Sequence, residues 1–192
     1  MPPRPSLDLL DHVHELNRLF LAFLRSAARE RRDCLGLPQQ AERALLKASP
    51  ELLEMLAQFP HALFRLTLDD QPAAGRLIDP LRGGTDGAHY SLSLMILQSA
   101  RALSRQSTYQ ARLLMGLSSR AMQRLRGMPL SDLPALARKA DLVLCAFPER
   151  DWLWMELLRE TRPEVRQQLT LIALQPWLEQ EWPRRRFAQL SP

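Results

Sequence analysis

The side chains that could support catalysis or bind a metal are few and widely separated. His12 and His14 lie two positions apart on a predicted helix, so they point to different sides and do not share a metal ion. Cys34 and Cys145 are too few for a structural zinc site or a disulfide scaffold. The sequence also contains no His-Glu-x-x-His, Gly-x-Ser-x-Gly or Cys-x-x-Cys motif. We therefore predict that the protein is not an enzyme and that it uses no metal or cofactor.

Arginine is the residue type whose distribution favours a binding function. The net charge is +5, and every cation except Lys47 and Lys139 is an arginine, whose planar fork pairs well with phosphates and guanine edges. The arginines form three clusters: Arg25, Arg29, Arg31 and Arg32; then Arg101, Arg105, Arg112, Arg120, Arg124 and Arg126; then Arg184, Arg185 and Arg186. The clusters predict a polyanionic partner, although solvated helix faces in a protein from a GC-rich genome would give the same composition.

The overall composition is that of a globular chain. Its 192 residues suffice to bury a core, and its 46% hydrophobic and 24% charged residues argue against disorder. No apolar run approaches the roughly eighteen residues that a membrane helix needs. The N-terminal segment carries Asp8, Asp11 and Glu15, so it does not read as a signal peptide. We expect a cytoplasmic protein.

Apolar residues recur at helical spacing through most of the chain, which predicts an all-α fold. A first long helix should run from Ser6 to about Arg32, with Gly36 as a left-handed cap. Short helices should follow, one of them beginning at residues 49–51. Residues 61–68 are apolar and could be extended.

A second group of helices follows a segment rich in glycine and proline. Residues 69–87 are predicted to be a linker, and a long helix should then continue to Gly116. Ser118 is expected to cap a second helix, and a third should start near Ser131 and Asp132.

The two groups of helices match when 80 is added to the residue number. Gly36-Leu37 then falls on Gly116-Leu117, and the following helix and break recur in the same order. The match also brings together Ala41 with Ala121, Leu45 with Leu125, Leu53 with Leu133, Leu56 with Leu136, Ala57 with Ala137, and Leu63-Phe64 with Val143-Leu144. We predict two tandem helical modules, residues 6–68 and 88–147, each with a long helix, a Gly-Leu turn and two short helices. Residues 148–192 should form a helical extension with a basic tail.

The turn at Gly116 has the pattern of a helix-turn-helix. A helix ends at the glycine, and Ser118 caps a second helix whose N-terminal residues would meet base edges and phosphates. The candidate DNA-binding residues are Arg112, Ser118, Ser119, Arg120, Gln123 and Arg124. The first module offers Gln39, Gln40, Glu42 and Arg43 instead, so we expect the second module to be the one that reads DNA. Any two helices joined by a glycine turn would also explain the pattern.

The tryptophan-rich extension is the other candidate surface. Trp152, Trp154 and Met155 are candidate residues for binding a protein partner, because exposed tryptophan and methionine anchor interfaces. The same residues could instead complete a core.

Residues 90–147 resemble the FlhD-type subunit of the bacterial flagellar master activator. The resemblance rests on these segments: Tyr90-Ser91-Leu92-Ser93-Leu94, Ala111-Arg112-Leu113-Leu114-Met115-Gly116-Leu117, Pro129-Leu130-Ser131-Asp132-Leu133, and Leu142-Val143-Leu144-Cys145-Ala146-Phe147. Residues 35–66 resemble a more diverged copy. The helix-turn-helix region is also similar to FlhC-like regulators of integrative conjugative elements.

This resemblance implies a transcription activator that works with an FlhC-like partner, or as a homo-oligomer, on promoter DNA. Two modules in one chain would form an intramolecular pseudo-dimer. A cysteine near the position of Cys145 can link the family's dimer, but Arg65 stands there in the other module, so we expect Cys145 to be a small buried residue. The alternative is a helical interaction module, such as a secretion chaperone, adaptor or anti-activator, that does not bind DNA.

Overall fold

Helices make up most of the described chain, which confirms the predicted all-α class. The computed structural model describes residues 7–68, 77–81, 84–148, 150–160 and 162–181. The α-helices among them are α1 (Leu7–Arg29), α2 (Gln39–Lys47), α3 (Pro50–Ala57), α4 (Thr85–Gln106), α5 (Thr108–Met115), α6 (Ser119–Gly127), α7 (Leu133–Ala137), α8 (Asp151–Leu157) and α9 (Pro163–Glu181). A 3-10 turn at Leu130–Asp132 precedes α7, and two short strands, β1 (Phe64–Leu66) and β2 (Val143–Cys145), form one sheet. The predicted cap Ser6 and the arginines 184–186 lie outside the described residues.

The first long helix is shorter than predicted. α1 ends at Arg29, and Arg31 and Leu35 both adopt positive φ, at 54° and 56°, which ends regular helical geometry. Gly36 is left-handed as predicted, with φ of 78°, but it lies in the turn before α2 rather than at the end of α1. α3 begins within residues 49–51 as expected, and Ser49 caps it, because its side chain accepts a hydrogen bond from the backbone N–H of Leu52.

The second long helix is broken where one continuous helix was predicted. Ser107 is extended, and its side chain accepts a hydrogen bond from the backbone N–H of Gln110, so α4 ends and α5 begins as a separate helix. The predicted linker, residues 69–87, also extends too far, because α4 already begins at Thr85. Gly84 takes a positive φ of 78° before the first turn of α4, and Asp86 lies in that turn, where an acidic side chain favours a helix N-terminus.

The two strands pair across the halves of the chain. They are antiparallel, with Phe64 opposite Cys145 and Arg65 opposite Leu144. The strand ranges 64–66 and 143–145 differ by 79 positions, so the predicted match of Leu63-Phe64 with Val143-Leu144 is wrong by one residue. The second half is therefore one residue shorter between its last helix and its strand.

The two halves use the same packing scheme. α1 packs on α2 and α3, α4 packs on α6 and α7, and the two long helices pack on each other. α2 and α6 begin at residues 39 and 119 and end at residues 47 and 127, so both ends obey the offset of 80. The antiparallel pairing of β1 with β2 joins the two halves at their ends.

One continuous core joins both halves and the C-terminal helices. Buried residues of α1 and α4 meet at its centre, and Leu169 and Ala173 of α9 extend it. α8 packs on α2, whereas α9 packs on α5 and α8. Among the described helices, none is long and apolar enough to cross a lipid bilayer.

Candidate nucleic-acid interface

α5, a glycine turn and α6 follow one another in the order that the sequence predicts. The eight residues of α5 lead into a turn in which Gly116 is left-handed, with φ of 62°, and the nine residues of α6 follow. Ser118 caps α6, since its side chain accepts a hydrogen bond of 3.0 Å from the backbone N–H of Ala121. Two short helices joined by a three-residue turn with glycine are typical of this motif.

Apolar residues on the inner face hold α6 in place. Ala111 and Met115 of α5, Leu117 of the turn, and Met122 and Leu125 of α6 are all buried in the core. Because α4 packs on both α5 and α6, the two helices are fixed relative to the long helix. The outer face of α6 is therefore presented on a rigid support.

The outer face of α6 is polar and cationic. Ser119, Arg120, Gln123 and Arg124 are exposed, as the helical spacing predicts. The Nη1 group of Arg124 donates to the backbone oxygen of Leu68 at 2.5 Å, which anchors this side chain beside the end of β1. The structure thus leaves Arg120 and Gln123 as the longest exposed side chains in the N-terminal half of α6.

Two predicted contact residues are half-buried rather than exposed. Ser118 is half-buried and its oxygen serves the cap described above. Arg112 is half-buried on α5 rather than on the exposed face of α6. The six candidates therefore come together around one turn, but they do not form a uniformly exposed surface.

α6 carries three arginines and no acidic residue. Arg105 is exposed at the end of α4, and Arg126 contacts the Thr108 hydroxyl at 3.4 Å. The Nε group of Arg101 donates to the backbone oxygen of Met128. Within the described part of the chain, the ion pairs join residues elsewhere: Arg18 to Glu15 and Glu54, Arg32 to Glu30 and Asp86, and Arg162 to Glu160. The arginines of α6 are not among them.

The counterpart helix α2 has different surroundings. Pro38 stands at its N-cap and supplies no side-chain hydrogen bond, and Glu42 lies in its first turn. Gln39, Gln40 and Arg43 are exposed. Residues 30–38, which precede α2, form a turn rather than a helix, so no short helix leads into α2 as α5 leads into α6.

The tryptophan surface is smaller than predicted. Trp154 is only 1% exposed, and its Nε1 group donates to the backbone oxygen of Ala146 at 2.8 Å. Its ring also packs on Phe147, so the prediction that Trp154 binds a partner is wrong. Trp152 is 49% exposed and Met155 is half-buried. They line a cleft between α8 and the start of α2 together with Pro38, Gln39, Gln40, Asp151, Glu156 and Arg159.

No known protein family, curated protein or solved structure matches this chain. The resemblance to FlhD-type proteins therefore remains a prediction from the sequence.

The cysteines lie inside the protein. Cys34 and Cys145 are both buried free thiols, and the Cys145 sulfur contacts the backbone oxygen of Cys34 at 3.5 Å. Burial raises the pKa of Cys34 to about 12 and also raises the pKa of Cys145, which keeps both thiols protonated and poorly nucleophilic. The prediction that Cys145 is a small buried residue is confirmed. Among the described residues, no group of histidine, cysteine or carboxylate side chains is arranged to hold a metal ion.

The cleft beside α2 is the feature that sequence reasoning missed. Asp151 and Glu156 belong to α8, more than a hundred positions after Gln39, and no spacing rule brings these residues together. The sequence did hold one signal for this surface. Trp152 and Trp154 lie two positions apart, and residues at that spacing on a helix do not share a face, so only one of them could be exposed.

Proposed function

We propose that this protein is a cytoplasmic DNA-binding regulator of transcription that uses α6 as its recognition helix. One observation carries the proposal: a rigidly held helix-turn-helix exposes Ser119, Arg120 and Gln123 at the start of its second helix, in a setting rich in arginine. In this motif the N-terminal residues of the second helix contact base edges in the major groove.

The exposed side chains suit the two kinds of contact that DNA recognition needs. Arginine can bind guanine in a bidentate manner and glutamine can bind adenine in the same way, so Arg120 and Gln123 are our candidates for base readout. The N-terminus of α6 carries the positive end of the helix dipole, which favours a nearby phosphate. Arg124 is exposed on α6, Arg105 is exposed at the end of α4, and Arg112 is half-buried on α5; these arginines would contribute to phosphate binding.

The resemblance to FlhD-type activators supports a second component. We propose that the protein acts at promoter DNA together with an FlhC-like protein or with further copies of itself. The shared core of the two halves agrees with the intramolecular pseudo-dimer that the resemblance implies.

Titration of the full chain into fluorescently labelled promoter-length duplex at several salt concentrations tests the proposal. Neutralising each phosphate releases counterions, so log K should fall linearly with log salt concentration, with a slope of about −0.9 per phosphate. Binding that weakens steeply between about 50 and about 200 mM salt would support the proposal. Absence of binding at the lowest salt, for the chain alone and with its copurifying partner, would contradict it.

The variant Arg120→Ala with Arg124→Ala locates the contact. We expect affinity to fall about tenfold or more and the salt slope to lose about two units, with circular dichroism unchanged. An unchanged affinity would show that the contact with DNA does not involve these two arginines of α6.

The second candidate function is a helical module that binds a protein and not DNA. The observation that favours it is the cleft between α8 and α2, where Trp152 is half exposed beside Met155. Large aromatic side chains at the edge of a cleft often anchor a partner. This alternative predicts that the duplex titration shows no binding at any salt concentration.

A further inference from the structure

The near-symmetry of the molecule would give a DNA-binding protein two recognition helices. α2 and α6 occupy matching positions 80 residues apart, and each packs on the long helix of its own half. A symmetric dimer of helix-turn-helix proteins uses both such helices, in two major grooves about one helical turn apart. Whether α2 can also enter a major groove therefore decides whether one chain contacts one groove or two.

α8 flanks one side of the start of α2. The cleft places Trp152 and Met155 beside Pro38, Gln39 and Gln40, which begin α2. A helix with its side chains is about 10–12 Å across, and the major groove is about 12 Å wide. A groove of this width admits one helix, so α8 would have to stay outside the groove that α2 entered.

The charges around the start of α2 are mixed, whereas those of α6 are all positive. Asp151 and Glu156 of α8 line the cleft at the start of α2 together with Arg159. Glu42 lies in the first turn of α2, half-buried towards Cys34. The first turn of α6 contains no acidic residue. Because carboxylates near a helix N-terminus weaken the attraction for phosphate, α2 is the poorer phosphate site of the two.

The element that would support α2 on DNA is absent from the first half. In a helix-turn-helix, the helix before the recognition helix crosses the DNA backbone. The chain from residue 30 to residue 38 instead forms a turn with Arg31, Leu35 and Gly36 at positive φ. The guanidinium of Arg32 in that turn pairs with Glu30 and Asp86.

We infer that each chain reads DNA with α6 alone, so its site is a single asymmetric half-site in one major groove. This inference rests on the proposed function. A palindromic site would need a second chain, because the near-symmetry of one chain does not supply a second recognition helix.

Footprinting on a selected duplex tests the inference. The full chain is used to select duplexes of about 30 base pairs from a random-sequence pool, and the bound duplex is mapped by hydroxyl-radical cleavage. The number of chains per duplex is measured by analytical ultracentrifugation. We expect one protected groove for each bound chain. Protection of two grooves about 10 base pairs apart by one chain would overturn the inference.

Matched variants provide a second readout on the same duplex. Arg43→Ala removes an exposed cation from α2, and Arg120→Ala removes one from α6. We expect about a tenfold loss of affinity for Arg120→Ala and less than about a twofold loss for Arg43→Ala. Equal losses would overturn the inference alone. A complete absence of salt-dependent binding would overturn the proposed function and the inference together.

Discussion

α2 and α6 show how the two halves keep one scaffold while their surfaces differ. Their buried positions match: Ala41 and Leu45 in α2 and Ala121 and Leu125 in α6 are all in the core. Both helices follow a left-handed glycine. Their outer positions differ, because α2 exposes Arg43 and Lys47 beside the mixed charges of α8, whereas the charged residues of α6 are all arginines.

The difference shows which positions the fold constrains. A buried residue contacts the long helix of its half, so a change in size there disturbs packing. An exposed residue has no such constraint, and its charge can change at little cost in stability. The same scaffold can therefore carry surfaces of different charge in its two halves.

The largest predicted effect on stability comes from Asn17, a buried polar residue at a position where the second half has a leucine. Asn17 is fully buried, and its Nδ2 group donates to the backbone oxygens of Phe59 and His61 while its Oδ1 accepts from the N–H of Leu63. The residue 80 positions later is Leu97, also fully buried. Asn17→Leu leaves several backbone groups buried without partners, so we expect the free energy of unfolding in urea to fall by about 3–5 kcal/mol.

Ser104→Ala is the control for this substitution. Ser104 is also buried, but its hydroxyl donates to Ala100 within its own helix, so its loss should cost less than about 1 kcal/mol. If Asn17→Leu costs no more than this control, Asn17 does not hold the segment after α3 in place.

The next prediction concerns how the free energy of unfolding depends on pH, because His61 is a buried titratable group in the first half. Burial lowers the pKa of His61 to about 4 from its ordinary value of 6.5. The unfolded chain binds a proton below pH 6.5 and the folded chain does not, so stability is full above 6.5 and falls as the pH drops towards 4. We expect a loss of up to about 3 kcal/mol across this window.

Urea unfolding of wild type and His61→Gln at a series of pH values measures this contribution. The difference between the two curves should lose its pH dependence above about 6.5, where His61 is neutral in both states. Identical slopes between pH 6.5 and 4 would show that His61 is not the titrating group.

The smallest predicted effect compares the N-caps. Ser118 caps α6 with its side chain, whereas Pro38 gives α2 no side-chain cap. Ser118→Ala should lower the free energy of unfolding by about 1 kcal/mol, measured in urea. The exposed neighbour Ser119 is the control, and Ser119→Ala should change stability by less than about 0.5 kcal/mol. Equal effects of the two substitutions would argue against a capping role for Ser118.

The sequence predicts the repeated helices well because their inner faces follow a simple period. The left-handed glycines, the cap at Ser118 and the exposed positions of α6 all follow from local spacing and turn chemistry. The break at Ser107 does not, since apolar residues continue at helical spacing on both sides of it. A serine is tolerated inside a helix, so the spacing alone cannot distinguish an interior serine from a cap.

Long-range contacts account for the other differences. The pairing of β1 with β2 and the packing of α8 on α2 join residues far apart in the chain. Trp154 fills the core because its position in α8 faces Phe147 and the backbone of Ala146, a direction that composition does not encode. Trp152, two residues earlier, faces outward.

The most direct test of the account compares charge removal in the two halves. The affinity of one duplex is measured at several salt concentrations for Arg120→Ala with Arg124→Ala in α6, and for Arg43→Ala with Lys47→Ala in α2. Both pairs remove two exposed cations. The account predicts that the salt slope loses about two units only for the α6 pair. Equal slopes for the two pairs, or a larger loss for the α2 pair, would contradict it.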